Sequence, residues 1–426
     1  MKLALPFRFT GLWHNPDFLR FWAGETISFF GSEVTALALP LTAVLVLNAT
    51  PGQMGVLVAA QNLPFLIVGL LAGVWVDRLR RRPMLIASDL ASAFLLVTIP
   101  AAALFGVLHI EHLYIVSFFT GFIVVIATVA YQSFIPSLVG RDQLLNANSK
   151  LEVSSSVAGI AGPGVAGVLV QVLSAPIAIL ADSITFLISA IFLTSIKTPE
   201  PAPIPHEQRG STWGQIGEGL RLVWGNPVLR SIVLCGVTHN FFSRMMDALF
   251  VLYVSQELKM GPALLGAIFA FGGPGALLGS LAAGPAARRF GVGPACIGAQ
   301  VLTGIARLCT PLALGPLPWS AAILMLGQFL LGFARPVFNI NQLSLRQSIT
   351  PDRLQGRVNA TMRFIMWGVT PVGAILGGIL GEAIGLQPTL LMAAFGVLLA
   401  FLWAYFSPLR DLIEQPRLPE EAASPP

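Results

Sequence analysis

The chain has 426 residues, of which 55% are hydrophobic and only 11% are charged. A soluble protein of this composition would have too few polar side chains to cover its surface, so the sequence indicates a membrane protein. The formal net charge of +5 does not indicate nucleic-acid binding, because the basic residues are dispersed between hydrophobic segments rather than gathered in an aromatic-rich patch.

Hydrophobic segments recur along nearly the whole chain. A membrane-spanning helix needs about 20 mostly apolar residues. The predicted fold class is therefore an all-α integral membrane protein with twelve transmembrane helices. The predicted helices, in chain order, cover residues 17–47, 53–76, 84–108, 112–135, 153–172, 176–196, 229–254, 262–287, 293–314, 318–340, 359–381 and 388–407.

The charges between these segments predict how the chain crosses the membrane. With both termini placed in the cytoplasm, the loop arginines and lysines fall on the cytoplasmic side and Lys259 alone falls outside. This distribution follows the positive-inside rule. It predicts a multi-pass protein of the cell (inner or cytoplasmic) membrane with an even number of spans. No cleavable signal peptide is expected, because the first segment is long enough to remain in the bilayer.

The two halves of the sequence are related. The motif Trp13-His14-Asn15-Pro16 returns as Trp224-Gly225-Asn226-Pro227, 211 residues later. Each half holds about six spans, so we expect two pseudo-symmetric six-helix bundles related by an axis along the membrane normal. The predicted domains are an N-terminal bundle, a Pro-rich cytoplasmic linker with an amphipathic helix, a C-terminal bundle and a cytoplasmic tail, at residues 1–196, 197–227, 228–408 and 409–426.

A glycine, an acidic residue and a run of arginines follow the second predicted helix. This segment resembles the loop between the second and third helices of the major facilitator superfamily. The resemblance implies a latch that breaks when a transporter changes its open side, formed here by Gly73, Asp77, Arg78, Arg81 and Arg82. The alternative is that the arginines only orient the protein against the anionic inner leaflet. In the second half, Arg288 replaces the acidic residue, so an asymmetric latch is expected.

The fifth predicted helix is rich in small residues. It resembles the antiporter motif of exporters in the same superfamily, on the residues Ala158, Gly162, Pro163, Ala166 and Gly167. Small side chains allow helix backbones to approach, and proline bends a helix, which suits a moving interface. The alternative is tight packing without any bearing on the direction of transport.

Ionisable residues inside spans are costly and therefore mark candidate functional sites. Glu25, Glu33, Asp182 and Asp247 are the proton-coupling candidates, and Arg244 is the charge partner, because it lies three residues before Asp247 on one helix face. We hypothesise that Glu33 faces the Arg244–Asp247 pair across a central cavity and that Glu33 or Asp247 takes up a proton. A static buried ion pair is the alternative.

Five polar side chains within apolar helices are candidates for lining the cavity, although structural hydrogen bonds would use the same residue types: Gln61, Asn62, Asn240, Gln328 and Asn339. The three cysteines and five histidines show no metal-ligand spacing. No metal or other cofactor is therefore predicted.

Neither a GxxxxGK[ST] nucleotide-binding loop nor an enzyme motif such as HExxH or GxSxG is present. The resemblance to the drug and siderophore exporter branch, which includes macrolide-efflux-like proton antiporters, implies a monomeric secondary transporter. It would export amphipathic small molecules in exchange for protons by alternating access. A proton-coupled importer and a non-transporting receptor or assembly factor are the alternatives. Neither a nucleic-acid partner nor an enzymatic activity is expected.

Overall fold

A computed structural model describes residues 11–69, 79–140, 143–200 and 212–413 of the chain. Throughout these ranges the ordered elements are helices. Ten of the described helices are long and apolar enough to cross a bilayer, and an eleventh qualifies together with the shorter helix that precedes it. A further apolar helix of 17 residues completes a set of twelve.

The first half contains six long helices. In chain order these are α1, Pro16–Leu45; α2, Pro51–Val68; α3, Arg81–Leu104; α4, Ile110–Leu138; α5, Leu144–Leu173; and α6, Ala175–Thr194. A linker helix, Thr212–Gly225, leads to the second half, and its axis lies at 102° to the span that follows.

The second half contains six more spans. In chain order these are α7, Pro227–Leu252; α8, Pro262–Phe290; α9, Val292–Leu308; α10, Leu317–Ile349; α11, Leu354–Ile384; and α12, Leu386–Tyr405. A π-helical turn, Tyr253–Glu257, extends the end of α7.

The repeated Asn-Pro motif begins the first span of each half. Asn15 Oδ1 accepts hydrogen bonds from two backbone N–H groups in the first turn of α1, both at 3.1 Å. Asn226 does the same for α7, at 2.9 and 3.2 Å. In each case a proline follows, at a position where the helix needs no N–H donor. The repeat in the sequence is therefore a repeated helix start.

Three helices are longer than their hydrophobic segments predicted. The helix α5 begins at Leu144 rather than at residue 153, α10 continues to Ile349 rather than ending at 340, and α11 begins before residue 359. Hydropathy marks the part of a helix that lies in hydrocarbon, whereas helical hydrogen bonding continues into the polar region beyond it. The predicted boundaries of these helices were wrong for that reason.

The two bundles use the same packing scheme. In the first bundle α1 packs against α5 and α6, α3 against α4 and α6, and α2 against α4. In the second bundle α7 packs against α11 and α12, α9 against α10 and α12, and α8 against α10. Each contact in one bundle therefore has its counterpart six spans later. The prediction of twelve helices in two pseudo-symmetric bundles is confirmed.

Two seams join the bundles, one between α2 and α11 and the other between α5 and α8. We call the end of the molecule that carries Arg82, Lys197, Arg357 and the linker helix the basic end, and the end that carries Thr50 and Glu382 the opposite end. Large apolar side chains such as Phe94 and Phe119 are exposed on the outer faces of α3 and α4. Such surfaces are suited to contact with lipid.

Candidate transport site

At the opposite end the two bundles are held together by hydrogen bonds. The Glu382 carboxylate of α11 accepts from the Thr50 hydroxyl at 2.5 Å and from the Gly52 N–H at 3.2 Å, both at the start of α2. In the second seam, the Ala263 N–H of α8 donates to Gln171 Oε1 of α5 at 3.2 Å. Both seams are therefore closed at this end.

Glycines allow the backbones in the two seams to touch. A methyl group added to Gly378 of α11 would lie 2.7 Å from the Pro51 carbonyl oxygen of α2. One added to Gly167 of α5 would lie 2.5 Å from the Pro262 carbonyl oxygen of α8. Because these distances are well below van der Waals contact, larger residues would force the bundles apart.

The predicted antiporter motif lies in one of these seams. All five of its residues are buried: Ala158, Gly162, Pro163, Ala166 and Gly167. The motif packs on two sides, since Gly167 contacts α8 while Gly162 contacts Glu33 of α1, where an added methyl would lie 2.5 Å from the Glu33 Cβ atom. The motif therefore joins the central helix of its own bundle to the other bundle.

Glu33 is half-buried on α1, against Gly162. Within the described residues its carboxylate has neither a hydrogen bond nor an ion pair. The structure does not bring Glu33 into an ion pair with Arg244, although α1 and α7 are neighbours. A carboxylate in a span without a partner is unusual, because burial of an unpaired charge is strongly unfavourable.

Arg244 and Asp247 do pair on α7. Arg244 Nη1 lies 3.4 Å from Asp247 Oδ2, and Arg307 Nη1 of α9 lies 2.8 Å from Asp247 Oδ1. The side chains of Arg244 and Asp247 remain 30% and 33% exposed, whereas that of Arg307 is 16% exposed. The site is thus one carboxylate between two guanidinium groups, with a residual positive charge.

A row of polar side chains continues from this ion pair, between α7 and α9 of the same bundle. His239 Nδ1 lies 3.2 Å from Gln300 Nε2, which also donates to the Val397 carbonyl of α12 at 3.0 Å. Sequence reasoning missed Gln300 and did not connect Arg307 with Asp247. The spacing of these residues in the sequence could have shown the polar face. Gln300 and Arg307 are seven residues apart on α9, and His239 and Asp247 are eight apart on α7, so each pair lies on one side of its helix.

The first bundle contains a group of buried acids. Asp182 of α6 is 2% exposed, and its Oδ1 accepts a hydrogen bond from Thr185 Oγ1 at 3.2 Å. Asp89 of α3 belongs to the same bundle, and its Oδ2 is buried with no hydrogen-bond partner in the described residues. Sequence reasoning did not include Asp89 among the proton-coupling candidates.

The predicted cavity residues have different environments. Asn62 Nδ2 donates to the Val58 carbonyl on its own helix, and Asn240 Nδ2 donates to the Met366 carbonyl of α11, both at 2.7 Å. The other three side chains have no hydrogen bond within the described residues, and are exposed or partly exposed: Gln61, Gln328 and Asn339. Two of the five are therefore already used in helix contacts.

The predicted latch is described only in part, because Gly73, Asp77 and Arg78 lie outside the described residues. Arg82 at the start of α3 donates from Nε to the Leu193 carbonyl at 2.8 Å and from Nη2 to the Thr194 carbonyl at 2.6 Å, at the end of α6. Arginine satisfies the last carbonyls of α6 in this way.

A carboxylate completes the contact between these helix ends. Glu200 accepts from the backbone N–H groups of Arg81 and Arg82 at the start of α3, and the Arg81 side chain lies 3.8 Å from its carboxylate. Negative charge is favourable at a helix N-terminus. In this structure Arg81 and Arg82 therefore tie together elements of one bundle.

Twelve spans in two matched bundles, seams of small residues between them and ionisable side chains on the central helices define a transporter fold of the major facilitator superfamily. The chain is similar to the crystal structure of a mutant form of the nucleoside transporter NupG, with a TM-score of 0.76 and 13% identity over 91% of this chain and 99% of that one. At this identity the similarity concerns the fold.

The family follows from sequence comparison. The model of the family described as transmembrane secretion effector matches residues 11–425, so the chain belongs to that family. It is 29% identical over 391 residues to the multidrug efflux pump Tap of Mycolicibacterium fortuitum, covering 90% of this chain and 93% of that protein. It is 24% identical to the enterobactin exporter EntS of Salmonella typhi, covering 90% of each.

These findings confirm that the chain is a multi-pass membrane transporter of the major facilitator superfamily, in the branch that holds drug and siderophore exporters. They also confirm that it is not an enzyme, because the family and the relatives are transporters. Its substrates are small molecules.

Proposed function

We propose that this protein exports amphipathic small molecules, such as drugs or siderophore-like metabolites, from the cytoplasm in exchange for protons. The observation that carries the proposal is Glu33, an unpaired carboxylate on a central helix that packs directly against Gly162 of the antiporter-type helix α5. The names of the relatives Tap and EntS support the direction of transport.

The basic end faces the cytoplasm in this proposal, and both termini are cytoplasmic. Arg82 and Lys197 lie at that end of the first bundle and Arg357 at that end of the second. Basic residues are retained on the cytoplasmic side and are attracted to its anionic lipids. With this orientation, the closed seams at Thr50–Glu382 and Gln171–Ala263 lie on the outer side, which corresponds to a state that receives substrate from inside.

Transport follows from opening one end while the other closes. The two seams consist of small residues and few hydrogen bonds, so the bundles can rock about them without exposing much polar surface. The segment with Gly73, Asp77 and Arg78, together with Arg81 and Arg82, would act as the latch at the basic end. The single chain holds both bundles, so a monomer is sufficient for the cycle.

Proton exchange requires a carboxylate whose surroundings change during the cycle. An ionised carboxylate needs water or a positive partner, whereas a protonated one does not. Glu33 has no positive partner in the described residues, so closing the cavity around it favours proton uptake and opening it to water favours release. Glu25, Asp89 and Asp182 on α1, α3 and α6 extend the acidic path through the same bundle.

Asp247 is a less suitable proton carrier than Glu33. It lies between Arg244 and Arg307, with nitrogen–oxygen distances of 3.4 and 2.8 Å. Two adjacent guanidinium groups stabilise the ionised form. We therefore assign Asp247 to the organisation of the positively charged side of the cavity, and Glu33 to proton exchange.

Proton flux in proteoliposomes tests the proposal. Purified protein under an imposed pH gradient should release protons when amphipathic drugs or siderophores are added, and Glu33→Gln should abolish this flux. Glu111→Gln is the matched control, because Glu111 is an exposed carboxylate in the first turn of α4, at the opposite end. We expect its coupled flux to equal that of the wild type.

The same assay separates the alternatives. An exporter moves substrate against the direction of proton flow, whereas a proton-coupled importer moves both in the same direction. A receptor or assembly factor gives no substrate-dependent flux. Undiminished coupled flux in Glu33→Gln would contradict the assignment of Glu33.

A further inference from the structure

An aromatic pair bridges the two bundles in the α2–α11 seam. The rings of Phe65 on α2 and Trp367 on α11 lie with their centroids 5.8 Å apart, at an angle of 47°. Trp367 is 37% exposed although it lies within a span. The pair is thus accessible, and its two members belong to elements that separate when the bundles move.

Two guanidinium groups flank this aromatic pair. Arg363 Cζ lies 5.4 Å from the centroid of the Phe65 ring, and Arg244 Cζ lies 5.8 Å from that of Trp367. Arg363 is exposed and has neither a hydrogen bond nor a carboxylate partner in the described part of the chain. Arg363 lies near the basic end, two residues from Thr361, which meets Gly219 of the linker helix, and its exposed guanidinium without a counter-ion is available to an anion there.

The central helices carry opposite charges in the two bundles. Within the described residues, four arginines lie in α7, α9, α10 and α11 of the second bundle: Arg244, Arg307, Arg335 and Arg363. Asp247 pairs with the first two of them. The middle of the first bundle carries acids: Glu25, Glu33, Asp89 and Asp182. Such a distribution gives the two bundles potentials of opposite sign.

From this arrangement we infer that the preferred substrates combine an aromatic ring with an acidic group. The ring packs against Phe65 and Trp367, and the acidic group pairs with Arg363 and Arg244. This inference rests on the proposed export function and names its class of substrate. A cationic aromatic molecule fits less well, because the two aromatic rings already face guanidinium groups that repel it.

Arg244 can exchange its present partner for a substrate anion. Its distance to Asp247 is 3.4 Å, longer than the 2.8 Å between Arg307 and Asp247. If Arg244 turns to the substrate, Asp247 keeps its shorter ion pair with Arg307. The exchange therefore leaves no carboxylate unpaired, which would otherwise oppose binding.

Binding to the purified protein in nanodiscs tests this inference. Equilibrium dialysis would compare 1-naphthoate with 1-naphthylmethanol and 1-naphthylmethylammonium, which share the ring but differ in charge. We expect the wild type to bind naphthoate at least about tenfold more tightly than the other two compounds, since hydrogen bonds to charged groups contribute on this scale. Arg363→Gln should remove the preference, and Arg363→Lys should keep part of it.

A matched variant controls for the loss of an arginine on an aromatic ring. Arg289 Cζ lies 5.6 Å from the centroid of the Phe290 ring in α8, a similar contact outside the seam. Arg289→Gln should therefore bind all three compounds as the wild type does. Trp367→Leu should weaken binding of the neutral compound and of naphthoate alike, because it removes only the ring contact. Each variant is first shown to be folded by its thermal unfolding temperature.

The outcomes separate this inference from the export proposal. Equal binding of the three compounds, or an unchanged preference in Arg363→Gln, overturns the assignment of an acidic aromatic substrate. If cationic or neutral drugs nevertheless drive proton flux in proteoliposomes, export itself stands. Conversely, naphthoate binding that depends on Arg363 without flux for any compound supports the site and contradicts export.

Discussion

The Glu382 carboxylate of α11 accepts a 2.5 Å hydrogen bond from the Thr50 hydroxyl at the start of α2. The two residues are 332 positions apart and belong to different bundles. Thr50 is also the N-cap of α2, where its hydroxyl accepts from the Gln53 N–H at 3.3 Å. The carboxylate therefore faces the positive end of the α2 dipole. The Thr50 hydroxyl both caps α2 and holds the two bundles together at this end.

Removing the carboxylate should weaken closure at the opposite end. A charge-assisted hydrogen bond contributes about 1.5–3 kcal/mol, so Glu382→Ala should shift the population towards the state open at that end by about tenfold or more. One spin label on α1 and one on α11, both at the end of the molecule that carries Thr50 and Glu382, would measure the shift as a change in the distance between them. Glu257→Ala is the control, because Glu257 is an exposed carboxylate at the same end without a partner in the described residues. An unchanged distance distribution in Glu382→Ala would contradict a closing role.

The antiporter-type helix α5 provides a second test, with two glycines of different surroundings. A methyl group at Gly167 would lie 2.5 Å from the Pro262 carbonyl oxygen of α8, whereas one at Gly159 would meet no atom within 4 Å. Overpacking of this kind costs about 1–3 kcal/mol. Gly167→Ala should therefore hinder closure of the α5–α8 seam and slow transport, and Gly159→Ala should not. Similar transport rates for the two variants would show that α5 and α8 accommodate the extra methyl group, and would contradict the need for glycine at position 167.

The spans, and the starts of α1 and α7, could be predicted from the sequence because their causes are local. Asn15 and Asn226 act on the next three residues, and hydrophobic length is read directly from composition. The Arg244–Asp247 contact was also predictable, since both residues lie on one helix face three positions apart. The same local reasoning gave the small-residue face of α5 around Gly162.

The contacts of these residues with other spans could not be predicted in the same way. Arg307 pairs with Asp247 over 60 positions, and Phe65 meets Trp367 across the bundle interface. Such pairs depend on the rotation of each helix about its axis, which packing of the whole bundle sets. Glu33 and Arg244 are 211 positions apart, the offset of the repeat. The repeat relates these positions by symmetry and does not require that their side chains meet.

The two arginines around Asp247 should differ in their importance for stability. Arg307 lies closer, at 2.8 Å, and is 16% exposed, whereas Arg244 lies at 3.4 Å and is 30% exposed. Solvent screening reduces the contribution of the more exposed partner. We expect Arg307→Gln to lower the thermal unfolding temperature more than Arg244→Gln does. Size-exclusion chromatography after heating would measure both, and a larger loss in Arg244→Gln would reverse the assignment.

Chemical modification distinguishes a carboxyl group that carries a proton from one held in an ion pair. Dicyclohexylcarbodiimide is apolar and adds to protonated carboxylic acids, so it should modify Glu33 in preference to Asp247, which lies between two guanidinium groups. Peptide mass spectrometry would locate the adduct, and its yield at Glu33 should fall as the pH is raised, because only the protonated acid reacts. A transported substrate added beforehand should also reduce the yield, since substrate and proton compete in an antiporter. Modification of Asp247 with Glu33 untouched would instead identify Asp247 as the group that exchanges protons.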